Sequence, residues 1–138
     1  MVDKTVILRR VEQIEEHLLK LSKYKKISYK EFVQNTDVQD ITEYNFFQTI
    51  NHIIDIVEHI TVDENYGNPE SVQDCIPLLV KNKVIDVKTA ELLRKMIGLR
   101  NFIAHEYISI DKSKIHEIVT KKTEDIRRAV KLLLGKFI

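Results

Sequence analysis

Apolar residues recur at helical spacing along nearly the whole chain. Ile7, Val11, Ile14, Leu18 and Leu21 advance in steps of four and three, one stripe of a long helix. Ile50, Ile53, Ile54, Val57 and Ile60 mark a second long helix, predicted to start near Asp40, and Ser28 or Asn35 is placed to cap the segment after the first helix. The Asn65-Tyr66-Gly67-Asn68-Pro69 cluster is the strongest break. After it, Ser71 to Lys81 reads as a short helix disturbed in its middle by Pro77. Asp86 is a favourable cap for a helix carrying Leu92, Leu93, Met96, Ile97 and Leu99. Asp111 or Ser113 starts a last helix with Ile115, Ile118, Val119, Ile126, Val130 and Leu133 on its apolar side.

Pieces of this length joined by short connections predict an all-α fold, an antiparallel bundle of about five helices. No internal repeat, low-complexity tract or linker divides the sequence, so residues 1–138 are expected to form one domain with its own core.

Composition narrows the class without naming it. Three glycines and two prolines are too few for a loop-rich sandwich. The lone Cys75 cannot close an internal disulfide and reads as a small buried hydrophobe, which fits a reducing compartment. No apolar run approaches the ~20 residues that span a bilayer, and the start of the chain is charged and amphipathic. A cytoplasmic protein without a membrane partner is expected. The net charge of +1 conceals an asymmetry: Glu31 to Val80 holds ten acidic residues and no Lys or Arg. The remainder carries all 22 basic residues against 21 − 10 = 11 acidic ones. Folding can turn this into one face that repels nucleic acid and one that attracts it, or leave both as solvated helix surfaces.

The chemistry concentrates in Met96-Ile97-Gly98-Leu99-Arg100-Asn101-Phe102-Ile103-Ala104-His105-Glu106-Tyr107. Arg100 continues the stripe Ala90, Leu93, Ile97, where an apolar residue would be expected. A guanidinium there needs an anionic partner, an open cleft or a second subunit, because an uncompensated buried charge costs several kcal/mol. Its structural alternative is a salt bridge to Asp55 or Glu58 on the neighbouring helix. Arg100 and Tyr107 are seven residues apart and share a helical face, whereas His105 points about 140° away from Arg100. Arginine offers a phosphate-shaped fork of donors, and histidine titrates nearest neutrality. That pair suits phosphodiester chemistry, although His105 alone also reads as a structural histidine and Tyr107 alone as a packing residue.

This ten-residue run, Gly98 to Tyr107, resembles the Arg-x4-His-x-Tyr motif of HEPN-domain toxins of the HepT-like class, partners of minimal nucleotidyltransferase (MNT) antitoxins. Gln48 to Ile60 resembles the second helix of that family, and Glu70 to Leu79 the short element after its loop. The resemblance implies a HEPN-like helical fold and a metal-independent endoribonuclease that acts as a homodimer, two motifs facing one cleft. It implies that Arg100 holds the scissile phosphate and that His105 is the general base or acid when the RNA 2′-hydroxyl attacks phosphorus. Asn101 would position the phosphate or hold Arg100. It further implies that the cognate antitoxin transfers AMP from ATP to Tyr107 and so silences the toxin; no cofactor of the toxin itself is implied. The alternative is a non-catalytic helical module that docks a nucleotidyltransferase and completes its substrate pocket.

Two weaker features stand outside the motif. His52, Asp55 and His59, at i, i+3 and i+7, share a helical face that suits metal ligands; alternatively, Asp55 or His59 faces the motif helix and orients Arg100. Lys20, Lys23, Lys25, Lys26 and Lys30 form a basic cluster that either steers RNA or is merely solvated.

Overall fold

The computed structural model describes residues 2–105 and 111–138. Among them every regular element is a helix, with no strand. The helices are α1 (Lys4–Ser22), α2 (Tyr29–Gln34), α3 (Thr36–Asp63), α4 (Val72–Lys81), α5 (Val87–His105), α6 (Lys112–Glu117) and α7 (Thr123–Gly135), with a π-helical turn (Ile118–Lys122) joining the last two.

Side-chain caps set most of the starts. The Asp3 carboxylate accepts from the Thr5 and Val6 N–H groups and opens α1. Ser28 and Asn35 both act as caps: Ser28 Oγ accepts from Glu31 N–H at the start of α2, and Asn35 Oδ1 from Val38 N–H at the start of α3. The α3 helix therefore begins at Thr36, four residues before the expected Asp40. The six-residue α2 is the element that apolar spacing does not reveal, because Phe32 is its one buried residue. Asp86 accepts from Thr89 N–H at 2.7 Å to start α5, and Asp111 from Ser113 N–H at 2.9 Å to start α6. Between α3 and α4 the backbone turns at Gly67, φ 156°, where an added Cβ would come within 2.9 Å of Leu78 Cδ1.

The α3 helix is the axis of the bundle and touches α1, α2, α4, α5, α6 and α7. Phe46, Ile50, Ile53, Ile56, Val57 and Ile60 lie along it with at most 1% of their surface exposed. Burial of each contributes about 1.5–3 kcal/mol, so α3 anchors everything packed on it. Its buried threonines satisfy themselves locally: Thr42, Thr49 and Thr61 donate to the carbonyls of Val38, Asn45 and Val57. Pro77 is tolerated inside α4, whose Cys75, Ile76 and Leu79 remain buried against the core. No helix among the described residues is long and apolar enough to cross a membrane.

Candidate active site

Arg100 sits where α5 emerges from the core. Thr89, Ala90, Leu93, Met96 and Ile97 are buried, and one turn later the same stripe presents a half-buried guanidinium. Three side chains hold it. Arg100 Nε donates to Asn51 Oδ1 at 2.6 Å, and Arg100 Nη1 donates to Asn101 Oδ1 at 2.9 Å. The guanidinium carbon lies 5.3 Å from the centroid of the Phe47 ring. Phe47 and Asn51 are one turn apart on α3, so a single helix face supplies both the aromatic surface and the amide oxygen.

All three supports are uncharged. Among the described residues no carboxylate lies within ion-pair distance of Arg100. Two of its five N–H groups are used among the described residues, and Nη2 is not among the buried side-chain nitrogens that lack a partner. Among the described residues the guanidinium is thus held in orientation by neutral groups alone, with donors left over for an anion.

The salt-bridge alternative is not what the fold adopts. Asp55 turns toward α1 and pairs with Arg10 at 3.3 Å, while Glu58 is exposed. His59 Nε2 lies 3.0 Å from Asp63. Neither Asp55 nor His59 orients Arg100, because both spend their polar atoms on the α1 side or within α3; the orienting residue is Asn51. His52 stacks on His17 of α1 with ring centroids 5.6 Å apart, and His17 Nδ1 is 2.8 Å from Asn45 Oδ1. Thus His52, Asp55 and His59 share a helical face but engage different partners. Among the described residues no group of three His, Cys, Asp or Glu converges as a metal site.

Burial lowers the affinity of His52 for a proton, and the neighbouring His17 and Arg10 push the same way. Its Nδ1 is buried without a partner among the described residues. His105 is the last residue of α5 and is exposed. Tyr107 lies outside the described residues.

Sequence patterning does not single out Phe47 or Asn51. The one available signal is a lone amide inside the apolar run Ile50-Asn51-His52-Ile53-Ile54.

Comparison with known proteins agrees with this architecture. The profile of the HepT-like family, described as Ribonuclease HepT-like, matches residues 7–133. The chain belongs to the HepT-like family. It is 29% identical over 103 residues to the mRNA nuclease HepT of Shewanella oneidensis, an alignment covering 75% of this chain and 77% of that protein. It is 27% identical over 114 residues to the tRNA nuclease HepT of Aphanizomenon flos-aquae, covering 83% and 78% of the two. Its fold is shared by a tri-AMPylated HEPN toxin of Shewanella oneidensis in complex with MNT antitoxin, with a TM-score of 0.86 at 24% identity, covering 96% of this chain and 99% of that one.

Proposed function

We propose that this chain is a metal-independent endoribonuclease, the toxin of a HEPN/MNT toxin–antitoxin pair. The observation that carries the reading is the guanidinium of Arg100, clamped by neutral side chains and without a carboxylate partner among the described residues. A binding module would have no need to hold a cation half-buried by neutral groups alone, when a carboxylate would hold it more firmly. Membership of a family whose named relatives cut mRNA and tRNA supports the same substrate class.

In this mechanism the free donor edge of Arg100 binds a non-bridging oxygen of the scissile phosphate. The edge is pre-set by Asn51, Asn101 and Phe47, so little reorganisation is needed as negative charge builds on the pentavalent phosphorus. His105 takes the proton from the adjacent 2′-hydroxyl. The 2′-oxygen then bonds to phosphorus, the bond from phosphorus to the 5′-oxygen breaks, and the departing oxygen receives a proton. The products are a 2′,3′-cyclic phosphate and a 5′-hydroxyl end, with no oxidant and no water consumed. His105 of a second copy facing the same cleft supplies the second proton-transfer group, which is why the active form is a homodimer.

Silencing would act on Tyr107. The partner nucleotidyltransferase would join its hydroxyl oxygen to the α-phosphorus of ATP with loss of pyrophosphate. The added phosphate would then compete with RNA for Arg100. A direct test incubates purified protein, free of any antitoxin, with RNA in a chelator. Cleavage that disappears in His105→Ala supports the proposal; intact RNA with the wild type removes it.

A further inference from the structure

The lysine cluster at the end of α1 occupies a definite place in the fold. From His17 to Lys30 there are five lysines and no acidic residue. Lys23, Lys25, Lys26 and Lys30 are exposed in the α1–α2 connection and on α2, and α6 packs beside α2. His116 of α6 donates from Nε2 to Ile27 O at 2.8 Å. Lys112 lies four residues before His116 on the short α6, and so on the side turned toward α2. Lys112 and Lys114 are exposed as well.

The oriented aromatic ring, more than the unpaired lysines, separates this corner from an ordinary solvated face, since only Lys95 and Lys122 reach a carboxylate among the described residues. None of these six lysines lies within ion-pair distance of a carboxylate among the described residues. Glu31 accepts from Ser28 Oγ and Asp111 caps α6, while Glu117 is exposed at the far end of α6. Among the lysines stands Tyr29, 46% exposed, its ring held edge-on by His116 at 5.3 Å and 72°. An oriented, half-open aromatic ring amid uncompensated cations is the pairing that binds single strands, the ring stacking a base while the cations follow the phosphates.

Chain length bounds the separation of this corner from the motif. Seven residue steps separate His105 from Lys112, so they lie within about 25 Å even with the intervening chain fully extended. A strand of several nucleotides spans that distance.

We propose that Lys23, Lys25, Lys26, Lys30, Lys112 and Lys114, with Tyr29 as stacking platform, form a second contact surface for single-stranded RNA that continues the strand held at Arg100. The inference rests on RNA being the substrate. The surface tethers substrate and does no chemistry.

The test measures binding of a fluorescein-labelled, 2′-O-methylated 20-nucleotide strand, which cannot be cut by 2′-hydroxyl attack, across a salt series. Wild type is compared with Lys26→Ala/Lys30→Ala/Lys112→Ala and with Tyr29→Ala. The triple variant should raise Kd at least tenfold and flatten the log–log salt slope by about 2, three phosphates at about 0.7 each. Tyr29→Ala should raise Kd on the order of tenfold. With cleavable RNA, KM should rise in both while kcat holds.

Equal affinity and equal salt slope in the triple variant overturn this surface and leave the nuclease reading intact. Binding differences with a wild type that never cuts RNA uphold the surface and remove the nuclease reading. A wild type that ignores RNA but is captured through these lysines by phosphatidylglycerol vesicles also overturns it.

Discussion

Arg100 Nε and Asn51 Oδ1 meet at 2.6 Å across the packed faces of α5 and α3, joining positions 49 residues apart by a bond that carries no countercharge. The same protein treats a structural arginine differently. Arg127 of α7 donates to Glu15 of α1 at 2.8 Å and also engages Glu124, and these carboxylates raise its affinity for its proton further. Arg10, Arg94 and Arg128 likewise lie beside carboxylates. Arg100 is half-buried and has none among the described residues, which leaves its charge available to a ligand.

Asn51→Leu should therefore leave the fold in place while slowing RNA cleavage on the order of 100-fold, the usual penalty when a reacting group drifts by about 1 Å. Asn51→Asp retains an acceptor for Nε but neutralises the cation, and should weaken RNA binding. Circular dichroism melts and cleavage rates check both. An Asn51→Leu variant that cuts at the wild-type rate would show that the clamp is dispensable.

The stacked His17–His52 pair predicts an acid-sensitive α1–α3 contact. Burial, reinforced by His17 and Arg10, lowers the folded-state pKa of His52. The unfolded chain then binds that proton more readily than the folded one, so stability rises with pH in this window. The contribution is complete above about 6.5, the ordinary histidine value, and is lost as pH falls below it. Melting at pH 7.5 and 5.5 should show a smaller acid-induced loss in His52→Gln than in wild type. Identical losses would contradict the assignment.

Much of this is legible in the sequence, and the exceptions have physical causes. Long stripes expose α1, α3, α5 and the last helix, because each buries a face at a regular period. The short α2 escapes because Phe32 alone marks its buried side. Apolar spacing places the α3 start late because its first turn buries just Val38, and the Asn35 cap begins the helix. Arg100 announces itself as a charge in an apolar stripe. Its partner does not, since a carboxylate is the obvious choice for a cation and Asp55 lies one turn beyond Asn51. Arg10 on α1 takes Asp55, a pairing decided by helix packing that no local pattern encodes.

The axis helix sets stability. Phe46→Ala removes a fully buried ring from the middle of α3 and should cost about 3–5 kcal/mol. Thermal or denaturant unfolding checks it. A loss below about 1 kcal/mol, far under the usual cost of such a cavity, would mean that α3 is not the anchor the packing suggests.

Modification of Tyr107 gives a separate prediction. Incubation with the cognate nucleotidyltransferase and ATP should raise the intact mass by whole AMP units and suppress cleavage. Tyr107→Phe should stay unmodified and remain an active nuclease under the same conditions. A mass increase that survives Tyr107→Phe would place the acceptor elsewhere.

End-group analysis of cut RNA tests the central claim most directly. Wild-type protein in a chelator should leave 2′,3′-cyclic phosphate and 5′-hydroxyl termini, and Arg100→Ala and His105→Ala, with unchanged melting, should leave the RNA whole. Termini bearing 5′-phosphate and 3′-hydroxyl, or undiminished cutting by either variant, would contradict it.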